Sequence, residues 1–185
     1  MKKPIVKVLI GIAGSGKTTL REEILSVQKV KKFRVISADQ VRFKMLDFEK
    51  TGRDFDPKIE PEVWKEVWTQ YENALRDRRN IIFDATNLTL MRRYPIVARA
   101  RKSGYWIDFI FNNCPFHLIL QRNKRRKRNI AVKILMKQYL SLQYPEVWEF
   151  DNLTIINQEN YRPSITTAEA LSKLNNKGWE AMKNG

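Results

Sequence analysis

The sequence of 185 residues contains a single cysteine, Cys114, and a single histidine. One cysteine excludes an internal disulfide framework, a disulfide partner and a zinc site built from cysteines. It also favours a reducing, cytoplasmic location. No apolar run approaches the roughly 20 residues of a membrane-spanning helix, so we expect no contact with a membrane. Residues 1–4 lead directly into an apolar run, so we expect no cleaved signal peptide.

Acidic residues are scarce relative to basic ones. Twenty Asp and Glu face 35 Lys and Arg, which gives a formal net charge of +15. An excess of this size favours a polyanionic partner, and nucleic acid is the polyanion that we expect. The alternative is a basic surface that only keeps the protein in solution. The charge is clustered, however, because residues 121–133 hold seven basic side chains and no acidic one.

The apolar content is sufficient for a folded core. Hydrophobic residues make up 43% of the chain and aromatic residues 11%. At this length such a composition predicts one globular domain over residues 1–185, without repeats or a second domain.

Residues 11–18 read GIAGSGKT and match the phosphate-binding pattern G-x-x-x-x-G-K-[ST] at every fixed position. The apolar run 5–10 before them predicts a buried parallel strand, and residues 19–25 predict a helix. Glycines let consecutive N–H groups close around a triphosphate, and the helix adds its positive N-terminal end. We therefore expect ATP to contact Gly11, Ala13, Gly14, Ser15, Gly16, Lys17, Thr18 and Thr19.

Two residues of this loop have specific expected roles. Lys17 should reach the β- and γ-phosphates, and the Thr18 hydroxyl should bind Mg²⁺.

A second polar pair follows the predicted strand at residues 33–37. Asp39 and Arg42 lie three apart at the start of a helix, so they share a face. Ligands of parallel α/β folds lie beyond the carboxyl ends of the strands, which places this pair near the phosphate loop. Asp39 is a candidate catalytic group, and it is equally a candidate N-cap of its helix.

The apolar run at residues 80–83 predicts a third strand that ends in Asp84. A carboxylate at this position is typical of a Walker-B-like aspartate. Asp84 would hold Mg²⁺ through water or bond to Thr18. Alternatively, it only braces the turn at Thr86 and Asn87. We expect these three side chains, Asp84, Thr86 and Asn87, to face the substrate.

The remaining pattern completes an α/β fold. Residues 105–111 and 153–157 predict two more strands; residues 61–78, 88–103 and 168–182 predict helices, and 47–60 a loop. Pro95 should kink or interrupt the second of these helices. The resulting fold class is a P-loop NTPase with a parallel central sheet of about five strands flanked by helices. The aromatic stripe that includes Trp64 and Trp68 is interpreted as core rather than as a base-stacking surface.

The basic cluster has two interpretations. As a lid over about residues 121–145, it would close over the triphosphate and supply arginines to the transition state. As a solvated charged face, it would have no catalytic role.

Four motifs in series resemble the polynucleotide 5′-kinase domain of phage and bacterial end-healing enzymes, which act in nucleic acid repair. The resemblance extends over roughly residues 5 to 160. It is carried by GIAGSGKT, Asp39-x-x-Arg42, Phe83-Asp84-Ala85-Thr86-Asn87 and Arg122-Asn123-x-x-Arg126.

The resemblance implies transfer of a phosphoryl group from ATP, with Mg²⁺, to the 5′-hydroxyl end of RNA or DNA. It makes Asp39 the general base and places Arg42 on the substrate phosphate next to the accepting end. Arg122 and Arg126 would engage the donor phosphates, although Arg125 and Arg128 are close enough in sequence to replace them. Asp84 matches a carboxylate needed for activity, and Lys17 and Thr18 match the loop lysine and the Mg²⁺-binding hydroxyl.

The chain departs from several members of that family, which carry a phosphatase or ligase domain. It has no aspartate-rich phosphatase motif, so we expect a stand-alone kinase. Two alternatives remain open: a P-loop kinase acting on a hydroxymethylated base or a small-molecule hydroxyl, and a non-catalytic, ATP-gated nucleic-acid binder. The sequence leaves the oligomeric state and the choice between RNA and DNA undetermined.

Overall fold

A computed structural model of the chain describes residues 3–27, 33–52, 55–126 and 129–157. The helix expected at 168–182 lies outside these residues. Across the described segments, no helix combines the length and apolar character needed to cross a bilayer.

Within these residues a single sheet of five parallel strands forms the centre of the molecule, in the order β2-β3-β1-β4-β5. This confirms the predicted fold class, a P-loop NTPase-like α/β fold. The strands are β1 (Ile5–Ile10), β2 (Phe33–Ser37), β3 (Asn80–Asp84), β4 (Trp106–Asn113) and β5 (Asn152–Asn157).

Helices cover both faces of the sheet, as long apolar strands require. The helices within the described residues are α1 (Lys17–Val27), α2 (Ala38–Met45), α3 (Phe48–Thr51), α4 (Glu60–Arg76), α5 (Leu90–Lys102), α6 (Phe116–Lys124) and α7 (Val132–Leu140).

Three local expectations were wrong. The loop predicted at 47–60 contains α3 and a 3₁₀ turn at Pro57–Ile59. Helix α5 continues through Pro95, so Pro95 does not interrupt the helix, and the kink stays a prediction. The N-cap of α2 is Ser37, whose hydroxyl accepts a hydrogen bond from the Gln40 amide at 3.4 Å. Asp39 is therefore not the cap, and its carboxylate is left for other contacts.

The core lies between the sheet and α4, where the predicted aromatic stripe packs. Tyr71 is fully buried and meets Phe83 edge to face, with ring centroids 5.2 Å apart. Trp64 and Trp68 are partly buried against the same cluster. This packing fixes the N-terminal end of α4 next to α2, where the polar residues of the candidate site begin.

A buried ion pair ties the loops at the carboxyl edge of the sheet together. Arg93 of α5 and Glu149 are both fully buried, and they join through two hydrogen bonds of 2.7 and 2.9 Å. Arg93 also donates to the carbonyls of Leu88 at 3.1 Å and Gln143 at 3.0 Å. One guanidinium thus fixes the segment after β3 against the segment that follows α7.

Candidate active site

The loop at residues 11–18 connects β1 to α1 in a conformation that requires glycine. Gly14 and Gly16 have φ of 85° and 96°, which side chains rarely tolerate. A Cβ on Gly11 would lie 2.6 Å from Ser15 Oγ and 2.9 Å from the Asn112 carbonyl oxygen. Side chains at these positions would therefore distort the loop.

Lys17 stands at the first position of α1, inside the curve of this loop. Its Nζ donates to the carbonyls of Gly11 at 2.7 Å and Ile12 at 2.9 Å. Burial lowers the pKa of Lys17 to about 8, against the opposing charges of Asp84 and Asp39. The structure thus brings Lys17, Asp84 and Asp39 within electrostatic reach of one another.

Asp84 ends β3 beside this lysine, with 8% of its surface exposed. Its Oδ2 accepts a hydrogen bond from Arg21 Nη1 at 2.7 Å, one turn after Lys17 on α1. Burial raises the pKa of Asp84, while the charges of Lys17 and Arg21 hold it down in part. The described residues show no hydrogen bond between Asp84 and Thr18, the direct contact expected for this carboxylate. The described partner is Arg21, which the sequence analysis had not considered.

Asp39 and Arg42 come together on the exposed side of α2. Arg42 Nη1 donates to Asp39 Oδ1 at 2.5 Å. Glu60, the first residue of α4, accepts two further bonds from Arg42, at 2.6 Å from Nε and 3.0 Å from Nη2. These bonds to Glu60 raise the pKa of Arg42 further. The Asp39 side chain remains 76% exposed, whereas that of Arg42 is only 11% exposed.

Thr86 and Asn87 link β3 to the phosphate loop. The Thr86 carbonyl accepts a hydrogen bond from the Gly11 amide at 3.0 Å. Asn87 is buried, with φ of 49°, and its Nδ2 donates to the Leu9 carbonyl at 2.7 Å. These contacts hold the loop in place. They leave the Asn87 amide facing β1.

The predicted lid arginines approach the loop from α6. Arg122 Nη1 donates to the Ser15 carbonyl at 3.3 Å. Arg126 is exposed, and its charge is close enough to contribute to the lowered pKa of Lys17. Residues 127 and 128 lie outside the described part of the chain.

Beside this end of α6 is a cavity of about 320 Å³. It is lined by Gly16, Thr19, Leu20, Glu23, Asn112, Arg122 and Ile156.

A second contact to the loop, which the sequence did not indicate, is made by α7. Gln138 Oε1 accepts a hydrogen bond from the Ala13 amide at 2.9 Å, across 125 residues of sequence. Gln138 also lines a groove of about 680 Å³ between the start of α4, α5 and α7. No local pattern marks Gln138 as a site residue, since it is one polar position of an amphipathic helix.

The residues present fit a nucleotide phosphate and its magnesium ion. Ser15 Oγ is buried and has no hydrogen-bond partner among the described residues, as expected of a donor arranged for a polar ligand. The Thr18 hydroxyl is exposed at the start of α1, and Asp84 supplies carboxylate oxygens nearby. Hydroxyl and carboxylate oxygens suit Mg²⁺, which takes few protein ligands when it also binds phosphates. The described segments contain no group of three or more His, Cys, Asp or Glu that could hold a metal by itself.

Comparison with known proteins places this site in a recognised family. The profile of a family described as "AAA domain" matches residues 6–143. No curated protein sequence matches the chain significantly.

Solved structures with similar folds belong to proteins of several activities. A chain of the Pnkp1/Rnl/Hen1 RNA repair complex is 20% identical with a TM-score of 0.66, over 90% of this chain and 49% of that one. A protein of the PezAT toxin–antitoxin system of Streptococcus pneumoniae is 18% identical with a TM-score of 0.68, over 89% and 71%. A gluconokinase from Sinorhizobium meliloti 1021 is 16% identical with a TM-score of 0.56, over 86% of each chain.

These similarities establish the fold and leave the acceptor open. All three identities are low, and the chain spans only about half of the RNA repair protein that it matches. Kinases of different substrates share this architecture, so the acceptor must be argued from the site itself.

Proposed function

The chain belongs to the AAA domain family, as a P-loop kinase-like domain, and from that premise we propose that it phosphorylates the 5′-hydroxyl end of RNA or DNA with ATP. The observation that carries the proposal is the exposed Asp39 carboxylate beside Arg42, within electrostatic reach of Lys17. A protein that only binds ATP has no need of a carboxylate beside the phosphates, because that charge repels them.

The donor side of the reaction uses the loop and the end of α6. Backbone amides of residues 14 and 16–18 and the Lys17 ammonium would neutralise the phosphates, and Arg126 would add further positive charge. Thr18 and Asp84 would hold Mg²⁺, which when bound neutralises charge on the donor phosphates. The nucleoside of ATP would occupy the cavity that Thr19 and Arg122 line.

The acceptor side uses α2 and the first residue of α4. Asp39 takes the proton of the 5′-hydroxyl as the hydroxyl oxygen forms a bond to the γ-phosphorus. The bond from that phosphorus to the β–γ bridging oxygen breaks, and ADP leaves with its electron pair. Arg42, held by Glu60, orients the Asp39 carboxylate through their hydrogen bond and presents charge to the phosphate next to the accepting end.

Three observations favour a nucleic acid as acceptor. The net charge is +15, and the four motifs occur in the order found in polynucleotide 5′-kinases. Structures of an RNA repair complex are among the similar folds. A second candidate is a kinase of a small-molecule hydroxyl. The structural match to a gluconokinase covers 86% of this chain and 86% of that one. A hydroxymethylated base in DNA is the other alternative acceptor, and the net charge does not distinguish it from a strand end.

One transfer assay separates these functions. Labelled γ-phosphate ATP and Mg²⁺ are offered with a 5′-hydroxyl oligonucleotide, the same oligonucleotide already 5′-phosphorylated, a duplex with hydroxymethylated bases, free nucleosides and gluconate. Label on the first substrate alone supports the proposal. Label on the modified duplex, whatever its ends, or on gluconate supports an alternative acceptor. Label on none of the substrates supports a protein that only binds ATP and nucleic acid.

The variant Asp39→Asn tests the proposed base. We expect transfer to fall by about 10²- to 10⁴-fold, the range of general acid–base catalysis, while ATP affinity stays within about twofold. The matched control is Asp47→Asn, which changes an exposed carboxylate just after the same helix and should keep full activity. Turnover of Asp39→Asn equal to the wild type would remove Asp39 from the mechanism.

A further inference from the structure

The groove between α4, α5 and α7 is unusual in its lining. It has a volume of about 680 Å³, within the range of ligand pockets. Its walls combine two aromatic rings with two cations and few small polar groups. The lining includes Phe55, Trp64, Arg92, Lys137 and Gln138.

This groove is continuous with both halves of the candidate site. Glu60 lines it and holds Arg42 through two hydrogen bonds. Gln138 lines the opposite side and accepts the hydrogen bond from the Ala13 amide of the phosphate loop. A ligand that enters the groove therefore lies beside the position where an acceptor hydroxyl must sit.

Two flat surfaces are available to a ligand there. Phe55 is 58% exposed, and the Arg42 guanidinium lies 5.8 Å from its ring centroid. Arg92 lies with its guanidinium 5.2 Å from the Trp64 ring centroid and is itself exposed. Exposed aromatic rings and guanidinium planes are the surfaces on which unpaired bases stack.

We propose that this groove binds the bases nearest the 5′ end of a single-stranded acceptor. Phe55 stacks on a base, and Arg92 and Lys137 contact the phosphates that follow. The proposal rests on the proposed function and specifies its substrate class. Bases can reach Phe55 only when they are unpaired, so a recessed or blunt duplex end is excluded.

The chemistry of the lining argues against a small sugar acid in the same groove. Recognition of a polyol requires many hydrogen-bonding groups at fixed positions, because each unpaired hydroxyl costs affinity. The groove offers two aromatic rings and two long cations, which match a base and its phosphates. Its other polar side chains, Glu60, Gln138 and Ser141, already make hydrogen bonds within the protein.

The test combines a variant with a substrate change. A 5′-hydroxyl oligonucleotide is compared with versions that lack the first or the second base, in binding without ATP and in transfer. For wild type we expect removal of the stacked base to weaken binding about tenfold, as for a single base–aromatic stack. Phe55→Ala should weaken binding of the intact strand by a similar factor and should not weaken binding of the abasic strand further.

The control variant is Tyr94→Ala, which removes an aromatic ring of similar exposure from α5, outside the groove. It should leave binding of every oligonucleotide unchanged. Arg92→Gln should weaken the binding of strands with at least two phosphates and leave the KM for ATP unchanged.

Several results would overturn the inference. They are equal binding of intact and abasic strands, an equal effect of Phe55→Ala on both, and equal binding of a blunt duplex and a single strand. If one of these results is found but the protein still transfers phosphate to 5′-hydroxyl ends, the proposed function is unaffected. Strand binding as expected without any transfer would instead refute the proposed function alone.

Discussion

At the scale of single residues, Lys17 combines two demands that oppose each other. Its ammonium must meet phosphates, yet it is partly buried and bonded to the Gly11 and Ile12 carbonyls, and desolvation lowers its pKa to about 8. In an unfolded chain the same group titrates near 10.5. The folded protein therefore holds this proton less tightly than the unfolded chain does, and the charge on Lys17 costs stability at neutral pH.

This cost predicts a pH-dependent effect of Lys17→Met. Between pH 8 and 10.5 the unfolded state binds more protons, so the contribution of Lys17 to stability improves as the pH rises through that window. Relative to the wild type, the variant should lose about 2.5 kcal/mol of stability between pH 7 and pH 10. Urea unfolding of both proteins at the two pH values measures this difference. A difference that does not change with pH would show that Lys17 has an ordinary pKa in the folded protein.

The residues that the sequence did not reveal share one property. Glu60 and Gln138 act through partners 18 and 125 positions away, Arg42 and Ala13. Their own surroundings in the sequence are ordinary helical patterns, which give no sign of such contacts. Asp39 and Arg42, in contrast, could be found because a motif places them together at the end of a predicted strand.

At the scale of elements, strands were easier to predict than the segments between them. Strands β1 and β2 have the bounds that their apolar, β-branched runs indicate. Helix α3 was missed because its four residues are too few to show a helical period, and it ends at Gly52 with φ of 64°. Helix α5 retains Pro95 because its packing outweighs the lost hydrogen bond, with Ile96, Val97 and Ala100 buried.

The position of α5 depends on the buried Arg93–Glu149 pair. Arg93→Met leaves Glu149 as an uncompensated charge without exposure to solvent, so we expect a loss of about 3–5 kcal/mol in unfolding free energy. The neighbouring Arg92→Met, at an exposed position, should cost about 1 kcal/mol or less. Chemical unfolding of the two variants measures both values.

A double variant separates charge from packing at this position. Arg93→Met combined with Glu149→Leu removes both charges and should recover part of the lost stability. A double variant as unstable as Arg93→Met alone would mean that the hydrogen bonds to the Leu88 and Gln143 carbonyls, rather than the orphaned carboxylate, account for the loss.

At the scale of the whole molecule, the excess of positive charge should make the binding of a polymeric acceptor more sensitive to salt than the binding of a small one. A protein that contacts phosphates with lysine and arginine releases counterions, so its affinity falls steeply with salt. With about four phosphates contacted, Kd for a single-stranded oligonucleotide should rise roughly fiftyfold between 50 and 200 mM salt.

The matched measurement uses a small acceptor under the same conditions. A nucleoside 3′-phosphate carries one phosphate, so its KM should rise only a few-fold over the same range of salt. Equal salt dependence for the oligonucleotide and the nucleoside 3′-phosphate would indicate that the +15 charge takes no part in acceptor binding.

The order of strands in the sheet has a consequence for biosynthesis. Strand β1 is made first, yet it lies at the centre and pairs with β3 and β4, which begin about 75 and 100 residues later. While the ribosome adds those residues, the nascent chain carries an apolar strand with both edges unpaired, a known route to aggregation. Chains released before residue 106 therefore leave at least one edge of β1 open. We expect such fragments to depend on chaperones, whereas the finished sheet has covered that edge.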